Sequence, residues 1–172
     1  MKRIIIVLIL ALFFVGCGDQ TKEGDRGLDL VRNIDSLEKK AFSADRAIDL
    51  KVAGDLVSAY CDFADANPDD AMTPEYLFKA VDVSMNLNEP QRTISIIDKL
   101  VKDYPDYKNT HRALFAKAFI FETRYNNLEM AKQLYEQYLE MYPDGELAGD
   151  CRASIENLGL SPEELVKKFE SQ

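Results

Sequence analysis

The chain is predicted to be an all-α protein, a short solenoid of about four helix pairs, and three observations carry that prediction. Beyond residue 27 there is no period-2 alternation of β-branched residues, and nearly every segment sets apolar residues three and four apart, the period of a helix with one buried face. Three stretches end alike: Tyr60-Cys61-Asp62-Phe63 runs on to Pro68, Leu100 to Tyr104-Pro105, and Tyr138-Leu139 to Tyr142-Pro143. The three prolines recur at spacings of 37 and 38, the length of a repeating unit of two helices with their turns.

Taken in order, the first segment is 1–16. Lys2-Arg3 precede an unbroken apolar run from Ile4 to Val15, closed by Gly16 and Cys17. Twelve residues at about 1.5 Å each make about 18 Å of helix, well short of the roughly 30 Å hydrocarbon core, so a cleavable signal peptide is expected rather than a span. Phe14-Val15-Gly16-Cys17 resembles a bacterial lipobox, with Phe14 and Val15 where a leucine and a small residue are usual. The resemblance implies cleavage before Cys17 and lipidation of its thiol. About three acyl chains, at about 0.8 kcal/mol per buried CH₂, would make membrane attachment effectively permanent. Gly18, not aspartate, follows the cysteine. By similarity to lipoprotein sorting in Gram-negative bacteria this implies the outer membrane, periplasmic face, with surface display as the alternative.

Residues 17–27 read as the lipidated cysteine and a flexible tether. They are polar, glycine-rich and without apolar periodicity, and ten such residues span about 17 Å. The repeat domain is assigned to 28–172, with helices expected at 28–41, 44–66, 74–87, 90–103, 108–124, 127–141, 146–158 and 162–170. Pro74 and Pro90 stand near helix starts, where a missing N–H costs nothing. Ser161-Pro162-Glu163-Glu164 combines an N-cap serine, proline at the first helical position and glutamate in the capping-box place, so the last helix starts there. Its Leu165, Val166 and Phe169 fit one apolar stripe, and Lys167 and Lys168 suit the negative end of the helix dipole. This helix is expected to cap the solenoid.

The units resemble tetratricopeptide repeats, whose second helix carries a small residue, an aromatic four residues on and a proline eight further. Ala131, Tyr135 and Pro143 match at those spacings. Thr93, Ile97 and Pro105 fill the same places, as do Leu56, Tyr60 and Pro68 with a large residue in the small position. In the first helices, Leu77 and Ala80 align with Phe115 and Ala118 at an offset of 38. The resemblance covers about residues 44–158 and implies a right-handed α-solenoid. Within that class the chain is similar to envelope lipoproteins serving outer-membrane β-barrel assembly and Tol-Pal-associated cell division. These solenoids bind extended or helical segments of partners along their first helices, which places Phe78, Asp82, Met85 and Asn86 of one unit, and Ala116, Ile120, Thr123 and Arg124 of the next, on a candidate partner groove.

Composition narrows the function further. The formal net charge is −9, and loss of Lys2 and Arg3 with the signal makes it −11, a body that repels phosphate backbones, so no nucleic-acid partner is expected. The expected partners are envelope proteins or peptide segments, with the membrane reached through the N-terminal lipid. His111 is the only histidine, between Thr110 and Arg112 near a helix start, and reads as an exposed helix residue. Asp62, Asp65, Asp69 and Asp70 crowd around Pro68 but lack the central glycine and final glutamate of a calcium loop; they read as a solvated helix end followed by capping residues. Cys61 and Cys151, without motif spacing, read as small helix residues rather than a bridged pair.

No phosphate loop, nucleophile elbow, zinc helix or Cys-x-x-Cys pair is present, so neither an enzyme nor a cofactor is expected. Phe115, Phe119, Tyr135, Tyr138 and Tyr142, at helical spacing, are expected in the core. The expected function is a non-enzymatic scaffold for envelope proteins. Its alternative is a surface lipoprotein binding glycan or peptide nutrients, which would need exposed stacking aromatics near Tyr107 and Tyr125.

Overall fold

The computed structural model describes residues 20–43 and 49–170. The segment read as a signal peptide, 1–16, the residue read as lipidated, Cys17, positions 18–19, 44–48 and 171–172, and the side chains of residues 20–26 and Phe169 lie outside the described residues. Among the described residues are eight α-helices and no strand: α1 Gln20–Ala41, α2 Leu50–Ala66, α3 Thr73–Ser84, α4 Pro90–Asp103, α5 Thr110–Thr123, α6 Leu128–Met141, α7 Ala148–Asn157 and α8 Pro162–Glu170. From α1 to α7 each helix packs on the next, and α3 also meets α5 one pair along, so the chain is an all-α helical-repeat solenoid.

The repeat is written most clearly in three turns. Asn67, Tyr104 and Tyr142 terminate α2, α4 and α6 with the same backbone angles, φ −134 and ψ 56 to 63, a conformation suited to the residue before proline. Their N–H groups donate to Phe63, Leu100 and Tyr138, their carbonyls accept from Asp70, Tyr107 and Gly145, and the carbonyls of these in turn accept from Thr73, Thr110 and Ala148. Thr73 and Thr110 also donate their hydroxyls to the carbonyls of Asn67 and Tyr104. The helix ends thus meet their backbone hydrogen-bonding demand locally, in one geometry repeated three times.

The buried residues follow the repeat. Leu56, Thr93 and Ala131 in the small position, and Tyr60, Ile97 and Tyr135 four residues on, are all at most 1 % exposed. The two tyrosines at this repeat position each find a carboxylate on the preceding helix, Tyr60 donating to Glu38 at 2.6 Å and Tyr135 to Glu122 at 2.7 Å. Two core clusters result, one running from Ile34 through Leu100 to Ile120 and one from Leu114 to Cys151. Helix α5 feeds both, Ala113 and Ile120 to the first, Leu114 and Ala118 to the second, which accounts for an apolar sequence on more than one face.

Neighbouring units are also tied through their polar edges. Tyr104 donates to the Pro68 carbonyl at 2.7 Å, turn to turn, and Lys99 pairs with Asp65 at 2.9 Å. Lys117 pairs with Asp98 at 2.6 Å, and Arg112 holds Glu146 at 2.6 Å. The capping box of α8 forms as its residues predict: the Ser161 N–H donates to Glu164 at 2.8 Å and the Glu164 N–H to the Ser161 hydroxyl at 3.3 Å.

Some elements differ from the sequence reading. Helix α1 begins at Gln20, inside the segment read as tether. Glutamine, lysine, glutamate and arginine are good helix formers, and Gly24 and Gly27 at about 1 kcal/mol each do not stop a helix continued from a packed segment. Helix α2 starts at Leu50, not at 44, because Asp49 takes extended backbone and its carboxylate accepts from the N–H groups of Lys51 and Val52. Helix α3 ends at Ser84, with turns filling 85–88. Val166 of α8 is 55 % exposed, outside the stripe expected for it.

Candidate functional site

Two clefts open along the C-terminal ends of α3 and α5. The first, about 530 Å³, has walls from the end of α1 (Ala41, Phe42), the start of α2 (Leu50, Ala53) and α3 with its following turn (Val83, Leu87). Most of this lining is apolar, and Phe42 and Leu50 stand 58 % and 66 % exposed. Its polar groups are Glu38, Lys79, Asp82 and Asn86, with Tyr60 at the floor. The second cleft, about 230 Å³, lies between the turn after α3, the start of α4 and the end of α5, where Met85, Phe119, Ile120, Thr123 and Arg124 meet. Asn86 and Leu87 line both, so the two clefts adjoin at the turn after α3 and together make up a furrow lined from α1 to α5.

The electrostatics of the furrow are uneven. Glu38 accepts hydrogen bonds from Tyr60 at 2.6 Å and from Lys79 at 2.9 Å. Desolvation pushes the Glu38 carboxyl up, but those two hydrogen bonds and the Lys79 charge outweigh it and hold it below its ordinary value. Burial, then the hydrogen bond and charge of Glu38, raise the Tyr60 phenol far above its usual range. The Lys79 ammonium lies 5.6 Å from the Tyr76 ring centroid and 6.0 Å from that of Tyr60, within cation–π range. Asp82 has no such partner: burial raises its carboxyl, and the distant Arg112 charge offsets only part of this.

Five of the eight residues expected on the groove, Met85, Asn86, Ile120, Thr123 and Arg124, come together at the second cleft, and Asp82 lines the first. Phe78 and Ala116 do not join them: both pack half-buried against the larger core, Phe78 with its ring 6.2 Å from Tyr107. In α5 the repeat alignment also slips by one residue at its start. The turns at Asn67 and Tyr104 superpose at an offset of 37, which pairs Leu77 with Leu114, both buried, instead of with the half-buried Phe115. One residue turns a helix face by about 100°. Phe119, read as core from the helical spacing of the aromatics, stands 43 % exposed on the furrow.

Sequence reasoning missed the furrow's other anchors, Phe42 and Leu50. Their signal was present, as two large apolar residues flanking the break between α1 and α2.

Other candidates resolve differently. His111, read as exposed, is tucked between the rings of Tyr138 and Tyr142 at 6.3 and 5.8 Å, with Glu146 at 3.8 Å, because the turn before α7 folds back over the start of α5. Tyr107 is half-buried, its ring against the larger core and 6.2 Å from Phe78; it donates to Glu75 at 2.6 Å, and burial, with that carboxylate beside it, pushes its phenol up to about 12. Tyr125 is 39 % exposed beside Phe121. Asp70 caps the turn through the Met72 N–H at 2.7 Å, and Asp65 pairs with Lys99. Cys61 and Cys151 are free thiols, one packed against each core cluster.

Among the described residues no group of three or more His, Cys, Asp or Glu side chains gathers as a metal site would require, and no helix is long and apolar enough to cross a membrane. No family model matches the chain, and neither the curated proteins nor the solved structures hold a match to it.

Proposed function

We propose that this protein is a non-enzymatic, tetratricopeptide-like lipoprotein of the outer membrane, anchored through Cys17, whose solenoid holds envelope proteins together. The observation that carries the reading is the furrow: a surface about 760 Å³ in combined volume, on which three of the large exposed hydrophobic residues, Phe42, Leu50 and Phe119, converge. Apolar side chains gathered in a concave surface favour a partner that buries them. The lipid would fix location and the repeats recognition. Holding a partner near the membrane raises its effective concentration toward a second component, with no bond made or broken.

Tyr107, one of the two tyrosines the nutrient-binding alternative calls on, lines neither cleft and packs half-buried against the core with its hydroxyl on Glu75. The nutrient-binding alternative therefore has less support. The deciding experiment is chemical crosslinking of the lipidated protein in native envelopes, with captured proteins identified by mass spectrometry and Cys17→Ser as the mislocalised control. Reproducible capture of envelope proteins, lost in the control, is expected. Absence of protein capture, together with retention of oligosaccharides or free peptides by the purified chain, would replace the scaffold with the nutrient binder.

A further inference from the structure

The first cleft, at about 530 Å³, has the size of a pocket that takes a small molecule. Its apolar walls are Ala41, Phe42, Leu50, Ala53, Val83 and Leu87, from the end of α1, the start of α2 and the end of α3 with its turn. The charges in its lining do not balance. Two carboxylates, Glu38 and Asp82, stand against one ammonium, and that ammonium, Lys79, is already bound to Glu38 at 2.9 Å beside the rings of Tyr76 and Tyr60. Asp82 is exposed and makes no ion pair or side-chain hydrogen bond among the described residues. Four residues on, the Asn86 amide nitrogen donates to the Asp82 carbonyl at 3.3 Å, and the Asn86 side-chain oxygen accepts nothing among the described residues. Two polar acceptors therefore stand one helical turn apart in the lining of an apolar cleft.

We infer that this cleft binds a small amphipathic amine, a free molecule with its apolar body against Phe42, Leu50 and Leu87 and its ammonium on the Asp82 carboxylate and the Asn86 side-chain oxygen. The sign of the head group follows from the lining. An anionic head would have only Lys79 to pair with, and would have to take it from Glu38 in the same cleft as a second carboxylate, Asp82. An ammonium meets the unmatched carboxylate and breaks no existing bond. Apolar area removed from water supplies most of the affinity, whatever the head group, and the exposed charge pair adds up to about fivefold. At about 30 Å³ for each non-hydrogen atom, the share of one water in the liquid, the cleft holds at most about eighteen such atoms, the size of an arylalkylamine or a medium-chain alkylamine. The inference goes beyond the scaffold reading and does not depend on it, because the second cleft and Phe119 play no part in it.

The test uses the intact chain in phosphatidylcholine nanodiscs, with empty nanodiscs as the baseline, and three probes sharing one apolar body. These are para-fluorophenylbutylamine, the matching alcohol and the matching carboxylate, each titrated at neutral pH and read by fluorine NMR. The amine should bind about threefold to fivefold tighter than the alcohol, and the carboxylate more weakly than the alcohol. Asp82→Asn should bring the amine down to the affinity of the alcohol and leave the alcohol unchanged. Asp82→Lys should place the carboxylate ahead of the amine. Leu50→Ser should weaken all three probes alike. Asp82 and Leu50 are exposed, so the fold should survive each change, as circular dichroism would check.

Equal affinities for amine and alcohol, a carboxylate that binds best, or an amine preference that survives Asp82→Asn would overturn the inference. So would probe binding no greater than to empty nanodiscs. A dimer in sedimentation that Leu50→Ser dissolves and the amine does not would overturn it as well, because a second copy would then fill the cleft.

Discussion

Replacing Glu38 by alanine tests how the first helix is held to the rest of the solenoid. One carboxylate oxygen on α1 accepts both the Tyr60 hydroxyl of α2 at 2.6 Å and the Lys79 ammonium of α3 at 2.9 Å. Tyr60 is 1 % exposed, so removing its acceptor strands a buried hydroxyl, a cost of about 1–3 kcal/mol. The pair with Lys79 has side chains 28 % and 38 % exposed and adds at most about 1 kcal/mol. Glu38→Ala should therefore lose about 1–4 kcal/mol. Tyr60→Phe removes donor and demand together and should lose only about 1 kcal/mol. The double variant should fall short of the sum by at least about 1 kcal/mol, since both changes break one bond. Urea unfolding followed by circular dichroism measures all three, with an unchanged slope as the condition for comparison. A Glu38→Ala chain within about 0.5 kcal/mol of the parent, or strict additivity of the two changes, would refute the reasoning.

The same carboxylate makes stability depend on pH. Its folded-state pKa lies below the unfolded value, so its contribution is complete above about pH 5 and declines as pH falls through the folded pKa; melting temperature should drop on acidification, less steeply in Glu38→Gln. Gly145→Ala places a Cβ 2.7 Å from the Tyr138 hydroxyl, 2.9 Å from the Tyr142 Cβ and 3.1 Å from the Tyr142 carbonyl, and should cost about 1–3 kcal/mol in thermal unfolding. Adding Tyr138→Phe should recover only part of that loss, because the Tyr142 contacts remain. The Cys151 thiol, fully buried and pushed up to about 11 chiefly by burial, should resist iodoacetamide in the native chain at pH 8, lag behind the half-buried Cys61 and react on unfolding, as mass spectrometry would show.

The repeat was legible because its turns carry their own chemistry. Pro68, Pro105 and Pro143 stop helices in one conformation, and the residues around them close the same hydrogen bonds, so a spacing in the sequence became a geometry in the fold. The capping box at Ser161 was readable for the same reason. The starts of α1 and α2 were not. Polar helix formers before residue 28 resemble a linker until a packed helix extends through them, and Asp49 announces a cap only once the backbone before Leu50 is known to leave the helix. The groove was half legible. Met85, Asn86, Ile120, Thr123 and Arg124 line one cleft, whereas Phe78 and Ala116 pack against the core and Phe119 stands exposed, because helical spacing alone does not say which face a neighbouring helix covers. Phe42 and Leu50 join the furrow only through the packing of α1 against α2, with α3 lining the same cleft, a tertiary relation that no local pattern carries.

The most direct measurement places a photo-crosslinking amino acid, one at a time, at Leu50, at Phe119 and at the exposed Gln133 of α6, and illuminates intact cells making the full-length chain. The account predicts one envelope protein captured from both Leu50 and Phe119 and not from Gln133. Capture from Gln133 alone, or equal capture from all three positions, would contradict it.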